Sequence, residues 1–205
     1  MPPRENPRAG FLGRLGILVW AAYGVVAAYG HWLEAAALGA VLSAVIVLAE
    51  YGRGATKIMN VTSLGYFGFE TALIVLYGAT WVRQFHLVMA WGVFAIVAWL
   101  TLACGYPFTM QYAREAVARE QWTARWLRQM SARLTQVWAS IFTFGALMGA
   151  VAMRYGHPLI FGVVLPGAAM AYGLRLNQRY GRRMAASAGL IEGSGAHRAR
   201  AYGQG

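Results

Sequence analysis

Long apolar runs alternate with short polar breaks along the chain, and six of the runs are long enough to predict membrane-spanning helices. A helix needs about 20 residues to cross a hydrocarbon core of ~30 Å, within a range of about 17–25. The first two runs are so close together that they are predicted to form a tight helical hairpin. The predicted spans cover residues 11–30, 32–49, 60–81, 85–106, 137–153 and 158–174.

An amphipathic helix is predicted over residues 111–135, between the fourth and fifth spans. One face carries an apolar residue at every fourth position: Trp122, Trp126, Met130 and Leu134. Arg125 and Arg128 fall away from this stripe, a pattern typical of a helix that lies in the membrane interface. The helix could be a solvated connection with an anchor. Alternatively, Trp122, Trp126, Arg125 and Arg128 could dock a cytoplasmic partner or anionic lipid headgroups.

Composition agrees with a membrane protein. Hydrophobic residues make up 59% and charged residues 12% of the 205 positions, whereas soluble domains average about 45–50% and about 25%. The sequence therefore predicts an all-α polytopic membrane protein with one bundle over residues 1–181. Residues 182–205 contain few large apolar side chains and are predicted to be disordered.

The net charge of +11 is distributed unevenly. All Lys and Arg residues except Arg83 and Arg154 lie in or near connections on one side of the predicted spans. The positive-inside rule places that side, with both termini, in the cytoplasm. It also accounts for the positive charge without a nucleic-acid partner, so membrane lipids are the predicted partners. The basic and apolar beginning resembles a signal peptide but lacks a good cleavage site, which predicts an uncleaved first span.

Two stretches carry a resemblance to a known family. Residues 107–122 read PFTMQYAREAVAREQW and are followed by VWASIF, while residues 56–73 read TKIMNVTSLGYFGFETAL. Together they resemble small bacterial inner-membrane proteins related to intracellular septation protein A, over roughly residues 55–142. The resemblance implies a cell-envelope or division-associated membrane protein without established catalytic residues.

Glu70 is the most informative single residue, because it lies near the middle of the third predicted span. A carboxylate at that depth costs about 3 kcal/mol on insertion scales and must face the bundle or water. It could bind a cation or relay a proton. It could equally hydrogen-bond Tyr66, Thr71 or a hydroxyl of another helix as interhelical glue.

A second group of candidates lies at the extracytoplasmic ends of the spans: His31, Glu34, His86 and His157. Imidazole and carboxylate groups suit divalent metals, and two His on different spans could ligate a haem. An ionisable side chain at an interface also needs no ligand to explain its presence.

Small residues predict close helix packing at two stripes, formed by Gly145 with Gly149 and by Ala35, Gly39 and Ser43. The dipeptide Pro166-Gly167 is predicted to break or kink the sixth span, as in some transport sites.

The sequence contains no nucleophile–base arrangement, no phosphate-binding Gly loop and no Asp. The first hypothesis is therefore a non-enzymatic envelope protein that acts through partners or lipids, and no cofactor is assigned. The alternatives are a small ion-coupled transporter that uses Glu70, and a redox protein with haem or metal at the His residues.

Overall fold

The computed structural model describes residues 7–78, 80–115, 117 and 119–180, with side chains from Gly16 onward. Within those ranges the chain is all-α, as predicted, and contains no strand. The helices are α1 (Pro7–Ala28), α2 (Trp32–Tyr51), α3 (Ile58–Tyr77), α4 (Val82–Ala103), α5 (Thr109–Glu115), α6 (Arg125–Tyr155) and α7 (Pro158–Tyr180). A 3-10 turn, Arg119–Gln121, lies between α5 and α6.

The helices α2, α3, α4, α6 and α7 are each long and apolar enough to cross a membrane. The apolar part of α1, Gly16–Ala28, is shorter. Large apolar side chains remain exposed along these helices, among them Leu48, Leu76 and Leu159. A soluble protein rarely exposes so much contiguous apolar surface, whereas lipid tails cover it at no cost.

The predicted helix over 111–135 and the predicted span over 137–153 differ from the observed helices. No helix breaker separates them, so α6 runs unbroken for 31 residues, about 46 Å at 1.5 Å per residue. The predicted amphipathic helix is interrupted instead between α5 and α6. There the Trp122 indole Nε1 donates to the carbonyl oxygen of Arg114 at 3.0 Å, which gives a carbonyl at the end of α5 a partner.

The buried stripe at the start of α6 is also shifted from the predicted one. Leu127, Ser131, Leu134 and Thr135 are buried, whereas Trp126 and Met130 are half-buried. This face packs against α5, where the Thr109 hydroxyl bonds the Ser131 carbonyl oxygen at 2.7 Å and the Thr135 hydroxyl at 2.8 Å. Contact with α5 thus selects the buried side of α6.

Two groups of helices have separate cores. In the first half, α1, α2 and α3 surround a cluster that includes Val19, Tyr23 and Phe67. In the second half, α4 packs along α6, and α7 packs on α6. The halves meet where α3 contacts α4 and where Met59 joins the cluster of Ala98 and Phe142.

The predicted small-residue stripes make close helix contacts within the chain. A Cβ on Gly39 would lie 2.7 Å from Cδ1 of Phe67, and one on Gly145 would lie 2.5 Å from Cδ2 of Trp91. A side chain at either glycine would displace an aromatic ring, so the glycines set the spacing of the helices.

The predicted break at Pro166-Gly167 is not observed, because α7 is helical through both residues. The irregularity lies just before them, where Pro158–Val164 form a π-helix. Pro166 has no N–H to donate, so the turn preceding it loses a hydrogen bond and can widen.

The turns sort to two ends of the bundle. The Lys57 Nζ and Glu115 Oε1 atoms are 3.2 Å apart, so the α2–α3 turn and α5 share one end, called here the basic end. The guanidinium carbon of Arg83 lies over the Trp32 ring, 5.7 Å from its centroid. This contact places the α1–α2 and α3–α4 turns together at the opposite end. Arg53, Arg119 and Arg125 also belong to the basic end.

Candidate functional site

Glu70 lies a little past the middle of α3 and is fully buried, with 0% of its surface exposed. The Tyr23 hydroxyl on α1 donates to its Oε1 at 2.8 Å. The other carboxylate oxygen, Oε2, has no hydrogen-bond partner among the described residues. The carboxyl group is therefore held on one side and unsatisfied on the other, which is uncommon for a buried polar group.

The hydroxyl of another helix that was expected near Glu70 is that of Tyr23, while the other two expected partners donate elsewhere. The Tyr66 hydroxyl donates to the carbonyl oxygen of His86 at 3.3 Å. The Thr71 hydroxyl donates to the carbonyl oxygen of Phe67 in its own helix at 2.7 Å. Sequence reasoning expected a hydroxyl from another helix but did not identify it as Tyr23, because Tyr23 lies 47 residues before Glu70 and only the packing of α1 on α3 brings the two together.

Aromatic rings cover the site. The Trp20 ring lies 4.5 Å from Phe67, 5.3 Å from Tyr66 and 5.9 Å from Tyr23, measured between ring centroids. It also meets Phe94 of α4 at 5.2 Å. Trp20 is thus the common neighbour of both Tyr side chains and of the second half.

Polar residues follow one buried face of α3. Asn60, Ser63, Tyr66 and Glu70 recur every three or four positions and are all buried. Ser63 accepts a hydrogen bond from Trp20 Nε1 at 3.1 Å. From Asn60 to Glu70 this face extends about 15 Å along the helix axis, so it connects the basic end with the buried carboxylate.

A charged cluster lies where that face reaches the basic end. Glu50 and Lys57 are only 1% and 3% exposed. Glu50 Oε1 accepts from Asn60 Nδ2 at 2.7 Å, and its Oε2 accepts from the backbone N–H of Lys57 at 3.0 Å. The Lys57 ammonium is 3.8 Å from Glu50 and 3.2 Å from Glu115. One buried cation therefore serves two carboxylates.

Tyr112 completes the cluster from α5. The Lys57 ammonium lies over its ring, 5.0 Å from the centroid. Burial, followed by the negative charges of Glu50 and Glu115, raises the pKa of the Tyr112 hydroxyl. Beside it, Gln111 Oε1 accepts from the N–H of Ile58 at 3.0 Å, which satisfies a free donor in the first turn of α3.

The sequence analysis did not identify this cluster. The available signals were a Glu at the end of an apolar run, Glu50, and the single lysine in a chain of arginines, Lys57. Their partner Glu115 comes from the other half of the chain, and only the folded structure places it there.

The predicted docking residues are partly used inside the protein. Trp122 is bonded to Arg114 and lies beneath the guanidinium groups of Arg114 and Arg119, at 5.6 and 5.4 Å. Arg128 donates to the carbonyl oxygen of Gly105 at 3.3 Å but remains exposed. Arg125 is exposed and Trp126 is half-buried.

The four predicted ligands do not form a metal site among the described residues. His31 pairs with Glu34 at 3.5 Å on the surface, and His86 packs against Trp32 with ring centroids 4.6 Å apart. His157 is exposed in the turn before α7. Across the described ranges, no three His, Cys, Asp or Glu side chains come together in a group that could hold a metal ion.

Two surface grooves lie at the ends of the bundle. One, of about 550 Å³, is at the opposite end and is lined by Trp32, Thr80, Trp81, Arg83 and Gln84. The other, of about 340 Å³, is at the basic end and is lined by Ile58, Leu100, Thr101, Cys104, Tyr106, Phe108 and Gln111. Neither groove reaches Glu70.

The long apolar helices, their exposed apolar surfaces and the buried polar face of α3 define an all-α, multi-pass membrane protein. The chain matches no protein-family model, no curated protein and no solved structure.

Proposed function

We propose that the chain is a small ion-coupled carrier in which proton binding at Glu70 is linked to the movement of a solute. The observation that carries the proposal is the Glu70 carboxyl group, fully buried within a span with one oxygen unsatisfied. Ionisable groups at that depth are rare and are commonly part of ion or proton pathways.

The surroundings of Glu70 favour a proton over a permanent ion pair. None of the ion pairs among the described residues includes Glu70. The titratable groups near it are Tyr23 from α1 and Tyr66 on α3, and neither of them is a fixed cation. The buried residues of α2 at this level, such as Ala36 and Gly39, cannot titrate. Proton uptake would remove the cost of an unpaired buried charge.

The described conformation would be a closed state of this carrier. Glu70 has no exposed surface and is bonded to Tyr23, and neither of the two surface grooves reaches it. Loading from either side would therefore require the two halves to move apart, as in carriers that alternate their access.

Glu70→Gln is expected to abolish proton-coupled transport, because the amide keeps the shape and can still accept from Tyr23 but cannot exchange a proton. Proteoliposomes loaded with the pH indicator pyranine would receive an external mixture of amino acids, sugars and monovalent cations. The wild type should then show a change in internal pH that the variant lacks. The control is Glu34→Gln, which removes an exposed carboxylate. A pH change that is equal in both variants and the wild type would reject the proposal.

A second candidate function is the envelope protein that the septation-protein resemblance implies. In that case the chain would lie in the bacterial inner membrane with both termini in the cytoplasm, and the basic end would bind lipids or a protein. The supporting observation is that Arg128 lies against Gly105, between Cys104 and Tyr106, which line the apolar groove at the basic end. An acyl chain in the groove and a phosphate on Arg128 would suit an anionic phospholipid.

Arg125→Gln/Arg128→Gln is expected to weaken phosphatidylglycerol binding roughly thirtyfold, at about 1 kcal/mol per arginine near the membrane surface. Native mass spectrometry of the protein titrated with phosphatidylglycerol or phosphatidylcholine would measure it. Phosphatidylcholine binding should be unchanged, and Arg53→Gln serves as the control for loss of charge at the basic end. An equal loss for both lipids would count against a headgroup site.

A further inference from the structure

Charged side chains link the two halves at both ends of the bundle. At the basic end, Lys57 bonds Glu115 and the N–H of Ile58 bonds Gln111. At the opposite end, the Arg83 guanidinium lies over the Trp32 ring, 5.7 Å from its centroid. Between them the halves touch through aromatic contacts such as Trp20 with Phe94 and through one hydrogen bond, from the Tyr66 hydroxyl to the His86 carbonyl oxygen. Two end closures around a largely apolar middle allow one end to open while the other stays closed.

The contacts that close the basic end lie next to the first residue of the polar face of α3. Glu50 bonds both Lys57 and Asn60, and Asn60 is the first residue of that face. The next is Ser63, which is 7% exposed. A solute or proton that travels from the basic end to Glu70 would therefore meet Lys57, Glu50 and Asn60 first.

We infer that the ion pair between Lys57 and Glu115 is the gate at the basic end, and that its opening gives water access to the polar face of α3. This inference rests on the proposed carrier function. The two gate partners have different anchors: Lys57 stays with Glu50 in the first half, whereas Glu115 belongs to α5, which packs on α6. Separation of Lys57 from Glu115 leaves Lys57 paired with Glu50, so opening does not strand an unpaired buried charge.

The partial exposure of Glu115 fits a gate better than a permanent structural bond. Its side chain is 30% exposed, against 4% for Lys57 and 2% for Glu50. When the gate opens, the Glu115 carboxylate can turn to water and recover its hydration. The free-energy cost of opening is therefore far smaller for this bond than for the bond between Lys57 and Glu50.

The test measures water access to Ser63→Cys in a Cys104→Ala background, because the native Cys104 is exposed. Reconstituted protein would be treated with a small, charged methanethiosulfonate reagent from the side of the basic end. Glu115→Gln and Glu115→Lys should raise the modification rate at position 63 at least about tenfold, since each removes the negative charge that pairs with Lys57 and holds the gate closed. The matched controls Glu120→Gln and Glu120→Lys change an exposed acid in the same connection and should leave the rate unchanged.

A cysteine at a second position distinguishes opening of the gate from a general loosening of the helix packing. Ala36→Cys places a thiol in a fully buried position of α2, towards the opposite end, and it should stay unmodified in every variant. Unchanged rates at position 63 in both Glu115 variants would overturn the gate, as would equal increases at positions 36 and 63. The outcome is independent of the Glu70 transport assay: if transport survives Glu70→Gln, the carrier proposal fails while the accessibility rates still decide the gate.

Discussion

Lys57→Met is expected to destabilise the protein by about 3 kcal/mol or more, because it leaves the buried Glu50 carboxylate without its cation. Glu50 would keep the amide of Asn60 and the backbone N–H of residue 57 as donors, but neither carries a charge. The free energy of unfolding would be measured by denaturant titration in mixed micelles, with helical circular dichroism as the signal.

Two further variants give this prediction its controls. Lys57→Met/Glu50→Gln removes both charges and should recover much of the lost stability, because a neutral amide can stay buried with its hydrogen bonds. Arg53→Met changes an exposed base in the same turn and should shift stability by no more than about 0.5 kcal/mol. A Lys57→Met protein as stable as Arg53→Met would show that the buried ion pair contributes nothing.

Phe67→Ala is expected to lower the free energy of unfolding by about 3 kcal/mol, because the ring is fully buried and fills the space next to Gly39. The neighbouring helices cannot close that space without moving Trp20 and Tyr23, which pack on the same ring. The same denaturant titration would measure the loss. Phe67→Ala should also lower the proposed transport through Glu70, since Tyr23 both packs on Phe67 and bonds Glu70.

The matched control lies two residues along the same helix. Phe69 is 57% exposed on the lipid-facing side of α3, where lipid tails can fill the space of a deleted ring. Phe69→Ala should therefore change stability by less than about 1 kcal/mol. Equal losses at both positions would mean that the first core does not depend on close packing around Phe67.

The sequence predicted the positions of the helices better than the contacts between them. The predicted second, third and fourth spans agree with α2, α3 and α4 to within a few residues, because the thickness of the bilayer fixes the length of an apolar helix. The sequence also identified Glu70 and the glycine contacts, since a charge or a small residue is conspicuous in an apolar run. It misplaced the boundary between α5 and α6, where the Trp122–Arg114 bond, rather than any local breaker, interrupts the helix.

The candidate site shows the same division. Glu70 was visible from its depth in a span, whereas Tyr23 and the Glu50–Lys57–Glu115 cluster were not, because each contact joins residues far apart in the chain. The predicted His cluster rested on shared depth alone. Residues that lie at one level of a bundle can still face different directions, and these four do not come together.

The sequence by itself determined that this chain is a multi-pass helical membrane protein, that its basic residues gather in one set of connections, and that one carboxylate lies inside a span. Those properties depend on local composition and on the fixed thickness of a bilayer. The tertiary structure alone decided that Glu70 has one unsatisfied oxygen, and that Lys57 serves two carboxylates at the end of the polar face of α3. Such contacts depend on how helices rotate and pack against one another, and no local pattern of residues records that rotation.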